Sequence, residues 1–214
     1  MKKRFLILSV TLWGTLQANA QEHGPLSVSA AGYVGANGTR SPGSSFQLKA
    51  DYHINRFSIG SGITYFSAGI EREGGVFLPP NNSFNTYLEA YTFRHLMLPL
   101  TFSYHAPMGK IFEFIPSVGL GASYTAKARY STQSSDSSFF NRDFSDWEFE
   151  RNFRKVNLWG ITALNFACNV NEQLALLAAI EGQGMITNAY KPGAEAYRGR
   201  QASLYFGLGL RYWF

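Results

Sequence analysis

The chain has one cysteine, Cys168, in 214 residues, and only 15% of its residues are charged. A single thiol excludes an intramolecular disulfide framework and any zinc site built on cysteines. The charged fraction is well below the roughly 25% of an ordinary soluble domain. Beyond the first twenty residues no apolar run approaches the ~18 residues of a helical span. The longest, Leu174 to Ile180, has seven, which excludes membrane crossing by helices. Glycine-rich phosphate loops and Walker-type motifs are missing, and the basic residues are dispersed, so a nucleic-acid partner is not expected. The four histidines lie far apart in sequence, which offers no metal site, and no cofactor is implied. Aromatics are abundant instead, with 18 Phe and 12 Tyr beside 21 Gly. That composition argues against disorder, which needs few aromatics and many charges.

The net charge of +5 invites a search for an anionic partner, but the N-terminus accounts for most of it. Lys2, Lys3 and Arg4 precede a short apolar run from Phe5 to Leu16, and Ala18-Asn19-Ala20 supplies a small-x-small cleavage site. This arrangement predicts a secretory signal peptide over residues 1–20 and a mature domain over 21–214. Removing the leader lowers the formal charge to +2.

In the mature chain the period is two. Phe46, Leu48, Ala50, Tyr52 and Ile54 alternate with Gln47, Lys49, Asp51 and His53. Leu96, Leu98, Leu100, Phe102 and Tyr104 alternate with Met97, Pro99, Thr101 and Ser103. The same two-faced pattern recurs over Leu26–Val34, Phe57–Tyr65, Phe112–Tyr124, Val156–Phe166, Leu174–Ile180 and Leu204–Phe214. These are eight amphipathic strands. One face is bulky and apolar, the other small or polar, which inverts the arrangement of a soluble core. The connections alternate as well. Tight turns are predicted around Ile54-Asn55, Pro107-Met108-Gly109 and Asn169–Glu172, and long polar loops over 36–44, 71–86, 128–152 and 186–199. Short turns at one end and long loops at the other are the pattern of an outer-membrane barrel. The expected fold is all-β: a transmembrane, up-and-down antiparallel β-barrel of eight strands, with short periplasmic turns and long extracellular loops.

The last strand carries the sharpest motif. Phe206, Leu208, Leu210, Tyr212 and the terminal Phe214 fall at every second position. They resemble the C-terminal assembly signal of outer-membrane barrels, and that resemblance implies recognition by the barrel-assembly machinery. Two further segments, His95-Leu96-Met97-Leu98-Pro99-Leu100-Thr101-Phe102-Ser103-Tyr104 and Phe114-Ile115-Pro116-Ser117-Val118-Gly119-Leu120-Gly121-Ala122-Ser123-Tyr124, are similar to the central strands of the PorT-like outer-membrane β-barrel family of Bacteroidota. The resemblance implies a cell outer-membrane location, an eight-stranded barrel without cofactor, and, for PorT itself, a part in secretion-system assembly. Outer-membrane lipid and lipopolysaccharide are then the expected surroundings.

Eight strands enclose a space that side chains just fill. The inward face is expected to carry Lys49, Asp51, Glu113, Lys155, Glu181 and Arg211 as a mutually paired polar network, because an unpaired charge in a low-dielectric interior is costly. A structural or assembly role through the loops or the periplasmic rim follows. The alternatives are a narrow, porin-like channel or solute barrel using that polar interior, and a lipid-modifying enzyme, which would need a nucleophile beside a positioned histidine. The His-x-Ser arrangement expected of such an enzyme is missing, so no catalytic residue is assigned. The third long loop mixes aromatics with charge, and its Trp147, Phe149 and Arg151 are candidate anchors for a protein partner. The pattern there extends strand six beyond the membrane, with aromatics over the barrel mouth.

Overall fold

The computed structural model describes residues 25–37, 42–78, 83–134, 139–143, 151–188 and 201–214. The expected leader, with Trp147 and Phe149 of the third loop, lies outside them. Alternating side chains make the strands, and the described residues form ten: β1 (Leu26–Ala36), β2 (Pro42–Ile54), β3 (Phe57–Leu78), β4 (Ser83–Tyr104), β5 (Ala106–Met108), β6 (Phe112–Ser134), β7 (Phe139–Asp143), β8 (Val156–Asn169), β9 (Leu174–Met185) and β10 (Ala202–Trp213). Eight of them run antiparallel in the order β1-β2-β3-β4-β6-β8-β9-β10. The β1–β10 pairing (Ser27↔Trp213 to Ala36↔Leu204) completes the ring. β5 and β7 are short additions hydrogen-bonded to β6. Through the barrel wall each of these eight strands has a neighbour on both sides, which satisfies its backbone N–H and C=O groups, whereas β3 beyond Phe66 pairs only with β4.

Local chemistry sets the turns. Asn55 takes a left-handed φ of 56° in the two-residue link between β2 and β3, a conformation asparagine tolerates. Gly109, at φ 81°, turns the chain between β5 and β6. Before β9, Asn171 Oδ1 accepts the N–H groups of Gln173 and Leu174 at 2.9 and 2.8 Å. The prolines sit where the ladder can spare a donor. β3 and β4 pair at Ser61↔Leu100 and Thr64↔Met97 and skip the stretch containing Pro99. Pro116 falls where β6 passes from its partner β4 to β5.

The exterior is apolar. Among the described residues 34 large apolar or tyrosine side chains are exposed, Leu208 at 74%. Leaving one such side chain in water rather than burying it costs about 1.5–3 kcal/mol, so a belt of this size calls for hydrocarbon around it. All five residues of the terminal motif, Phe206, Leu208, Leu210, Tyr212 and Phe214, lie on this outer face.

Two expectations are corrected. The regions 71–86 and 128–152 are not simply loops: β3 and β4 run on as a ribbon to Leu78 and Ser83, and β6 to Ser134. Glycine-rich and polar sequence concealed strands that are held by their neighbours. The strand pattern expected over Trp147–Phe153 also fails at its described end, where Arg151 and Asn152 are helical ahead of β8.

Candidate functional site

The interior has two halves. Towards the short-turn end charged and polar groups gather beside a small apolar cluster of Ile115, Ala167, Ala175 and Leu177, and the charges pair within one strand or across the barrel. Lys49 Nζ lies 2.8 Å from Asp51 Oδ1, two residues along the inward face of β2. The space exists because Asp51 faces Gly60 across the β2–β3 ladder: a Cβ at Gly60 would stand 2.1 Å from Asp51 Oδ1. Glu113 accepts from Arg211 Nη1 at 3.4 Å through one oxygen and meets His105 Nδ1 at 3.0 Å through the other. His105 Nε2 shares a 2.9 Å hydrogen bond with Ser58 Oγ. The ring of His53 packs against those of His105 and Trp213 at 4.8 and 4.3 Å, and its Nε2 is 2.8 Å from Ser27 Oγ. Arg211 lies over Trp213, 5.4 Å from its centroid. Midway along the barrel Gln183 donates to Glu181 at 2.6 Å, and Gln47 donates to Glu181 and Thr64 at 3.5 and 3.2 Å.

Of the six residues expected in the lumen, Lys49, Asp51, Glu113, Glu181 and Arg211 point inward. Lys155 does not. It is exposed at the long-loop end, just before β8, where its carbonyl accepts the Thr125 N–H at 2.7 Å. Alternation starts only at Val156, so parity had no meaning one residue earlier. Arg151 is exposed in its helical turn.

Ser58, His105 and Glu113 stand in the order hydroxyl, imidazole, carboxylate that a serine hydrolase uses. Sequence reasoning missed this trio, since its members come from two strands and a link. Ser58 is only 1% exposed, His105 is walled in by His53 and Trp213, and Glu113 is shared with Arg211. Ser58 Oγ is thus closed off from solvent, and the hydrogen bonds of the trio tie β3, β6 and the link after β4 together.

Towards the long-loop end the interior is aromatic, contrary to the expectation of small or polar groups. Phe66, Phe93, Met97, Trp159 and Tyr205 are at most 1% exposed. Trp159 meets Phe66 edge-on at 4.9 Å, and His95 stacks on Phe66 at the same distance. Edge-on and stacked rings of this kind add about 0.5–1.5 kcal/mol per pair beyond burial. Trp159 Nε1 donates to Ser123 Oγ at 2.8 Å, His95 Nε2 meets Gln201 Oε1 at 3.1 Å, and Tyr205 O–H donates to the Ser67 carbonyl, while Gln201 Nε2 and Ser203 Oγ are buried without a hydrogen bond. Phe153 closes over Phe93 at 5.2 Å. Phe66 and Phe93 continue the inward faces of Thr64 and Met97 just past the segments where alternation was clear, a signal that parity could have supplied.

No protein-family model and no curated protein matches the chain. Solved structures do. Neisserial surface protein A aligns with a TM-score of 0.53 and 12% identity, over 89% of this chain and 98% of that one. A major outer membrane protein from Thermus thermophilus scores 0.49 at 12% identity, over 88% and 99%. OprG from Pseudomonas aeruginosa scores 0.43 at 14%, over 90% and 97%. The likeness to the first is one of fold, that of a small closed antiparallel barrel.

Proposed function

We propose that this protein is a non-enzymatic, non-conducting barrel of the outer membrane that acts through its two ends. The observation that carries the reading is the filled interior: Trp159, Tyr205, Phe66, Phe93 and Met97 occupy one half, and paired charges occupy the other. An eight-stranded barrel has no width to spare around such groups. The apolar exterior supports a membrane setting, and the leader expected over residues 1–20 supports export to it. The short-turn end would then face the periplasm and the long-loop end the outside. A structural or assembly role, with secretion as the process the PorT-like resemblance suggests, fits a barrel whose chemistry is spent on holding itself shut. In planar bilayers the folded protein should give no steady single-channel currents. Discrete, reproducible conductance steps would replace this reading with that of a narrow channel, the alternative that the polar half favours.

A further inference from the structure

Glu181 stands apart from the other inward charges. Lys49 lies against Asp51, and Arg211 against Glu113. Among the described residues Glu181 makes no ion pair, and Lys49, the cation whose charge it feels, is held by Asp51. An ionised carboxylate buried without a counter-charge is costly. Its neighbours are unsettled too. Gln183, the next inward residue of β9, brings one end of its amide 2.6 Å from Glu181 Oε1. The oxygen of that amide, Gln183 Oε1, is buried with no hydrogen-bond partner. Ser203 faces Gln183 directly across the β9–β10 ladder, and its Oγ is likewise buried and unpartnered. Glu181 and Gln183 are 3% exposed and Ser203 6%, so water at the surface does not reach them.

One rearrangement of hydrogens answers all three. An amide keeps its outline when its oxygen and nitrogen trade places. With Gln183 Oε1 turned to Glu181, a protonated carboxyl donates its O–H to that oxygen. A separation of 2.6 Å is ordinary for O–H···O and short for N–H···O, which is usually about 2.9–3.0 Å. Gln183 Nε2 then turns towards β10, where Ser203 Oγ accepts it. Facing residues of a ladder stand about 4.5–5.5 Å apart at Cβ, within reach of a glutamine amide. The other oxygen of Glu181 still accepts from Gln47 Nε2 at 3.5 Å. No hydroxyl nearby competes for the carboxyl. Tyr33 O–H donates to Gln47 Oε1 and Tyr205 O–H to the Ser67 carbonyl, while Thr64 Oγ1 accepts from Gln47.

We propose that Glu181 is a proton-holding site: a neutral carboxylic acid in mid-barrel that donates to Gln183 Oε1, with the Gln183 amide anchored by Ser203. The site depends on the closed interior alone, so it is independent of whether the barrel conducts.

The test is infrared spectroscopy of the mature protein refolded in octyl glucoside micelles, with closure read from unheated gel mobility. At neutral pH the closed barrel should show the C=O band of a protonated carboxyl, shifted in heavy water. The band should move when glutamate, but not aspartate, carries an isotope label in its side-chain carboxyl. It should vanish in Glu181→Gln, which should close as well as wild type because its amide can donate to Gln183 in place of the acid. Ser203→Ala should keep the band but displace it. The proposal is overturned by a closed barrel without the band, which means an ionised Glu181. A band that follows the aspartate label, survives Glu181→Gln or stays unmoved in Ser203→Ala overturns it as well. So does a Glu181→Gln chain that fails to close, since a neutral side chain of the same shape would then not serve. Wild type that never closes would remove the buried interior, and the site with it.

Discussion

At the scale of single residues, one carboxylate of the short-turn half serves two partners. Glu113 serves both Arg211 and His105, so Glu113→Gln leaves a buried guanidinium without its counter-charge. Removing one partner of such a pair costs more than the pair itself contributes. The expected loss is about 2 kcal/mol, read from urea unfolding in lipid vesicles, and Arg211→Met in the same chain should recover most of it. Additive losses would mean that the two groups act independently. Ser58 gives a different check. Because its hydroxyl is buried against His105, a fluorophosphonate probe should leave the folded protein unlabelled. Labelling that disappears in Ser58→Ala would turn the clamp into a nucleophile. Sequence parity located most of the inward charges, since Lys49, Asp51, Glu113, Glu181 and Arg211 all fall on the polar phase of a strand. It could not pair them: Glu113 and Arg211 are 98 residues apart and meet only because the barrel closes.

Among the elements, β1 and β10 carry both the closure and a match of volumes. Tyr33 faces Gly207 across their ladder, and a Cβ on Gly207 would lie 2.2 Å from the tyrosine ring. Gly207→Val should therefore destabilise the barrel by about 1–3 kcal/mol, and Tyr33→Ala should relieve part of that penalty. A thermal shift of the unheated gel band measures both, and a double variant no better than Gly207→Val would disprove the match. The strands were legible because their outer faces are almost uninterrupted in Leu, Ile, Phe and Tyr. Their upper reaches were not. In β3 and β4 the alternation dissolves beyond Ala68 and before Tyr91, where Gly, Glu, Arg, Asn and Thr break up the apolar residues. The ribbon there is held by cross-strand pairing, from Ala68↔Phe93 to Leu78↔Ser83, which no single segment displays. A β-bulge at Ala126 was hidden for the same reason: His95 faces Thr125 but Arg94 faces Lys127, and such a register shift belongs to two strands at once.

For the whole molecule, the division of the interior decides what the barrel can be asked to do. Its low charge and aromatic excess have two sources: one set of rings faces outward in the apolar belt, and a second fills the long-loop half. Composition alone joined these, and only the closed ring of strands separates them. On the reading proposed above, a barrel filled in this way would interact through its ends, the short-turn one carrying the cluster of His53, His105 and Trp213.

That division also equips the protein with its own optical probes. Trp159 lies in the aromatic half, edge-on to Phe66 and bonded to Ser123. Trp213 lies in the polar half between His53 and Arg211. With Trp147 replaced by phenylalanine in the mature chain, the two remaining indoles emit from opposite ends in unlike surroundings. Loosening at either end can then be followed by intrinsic fluorescence, without attaching a dye.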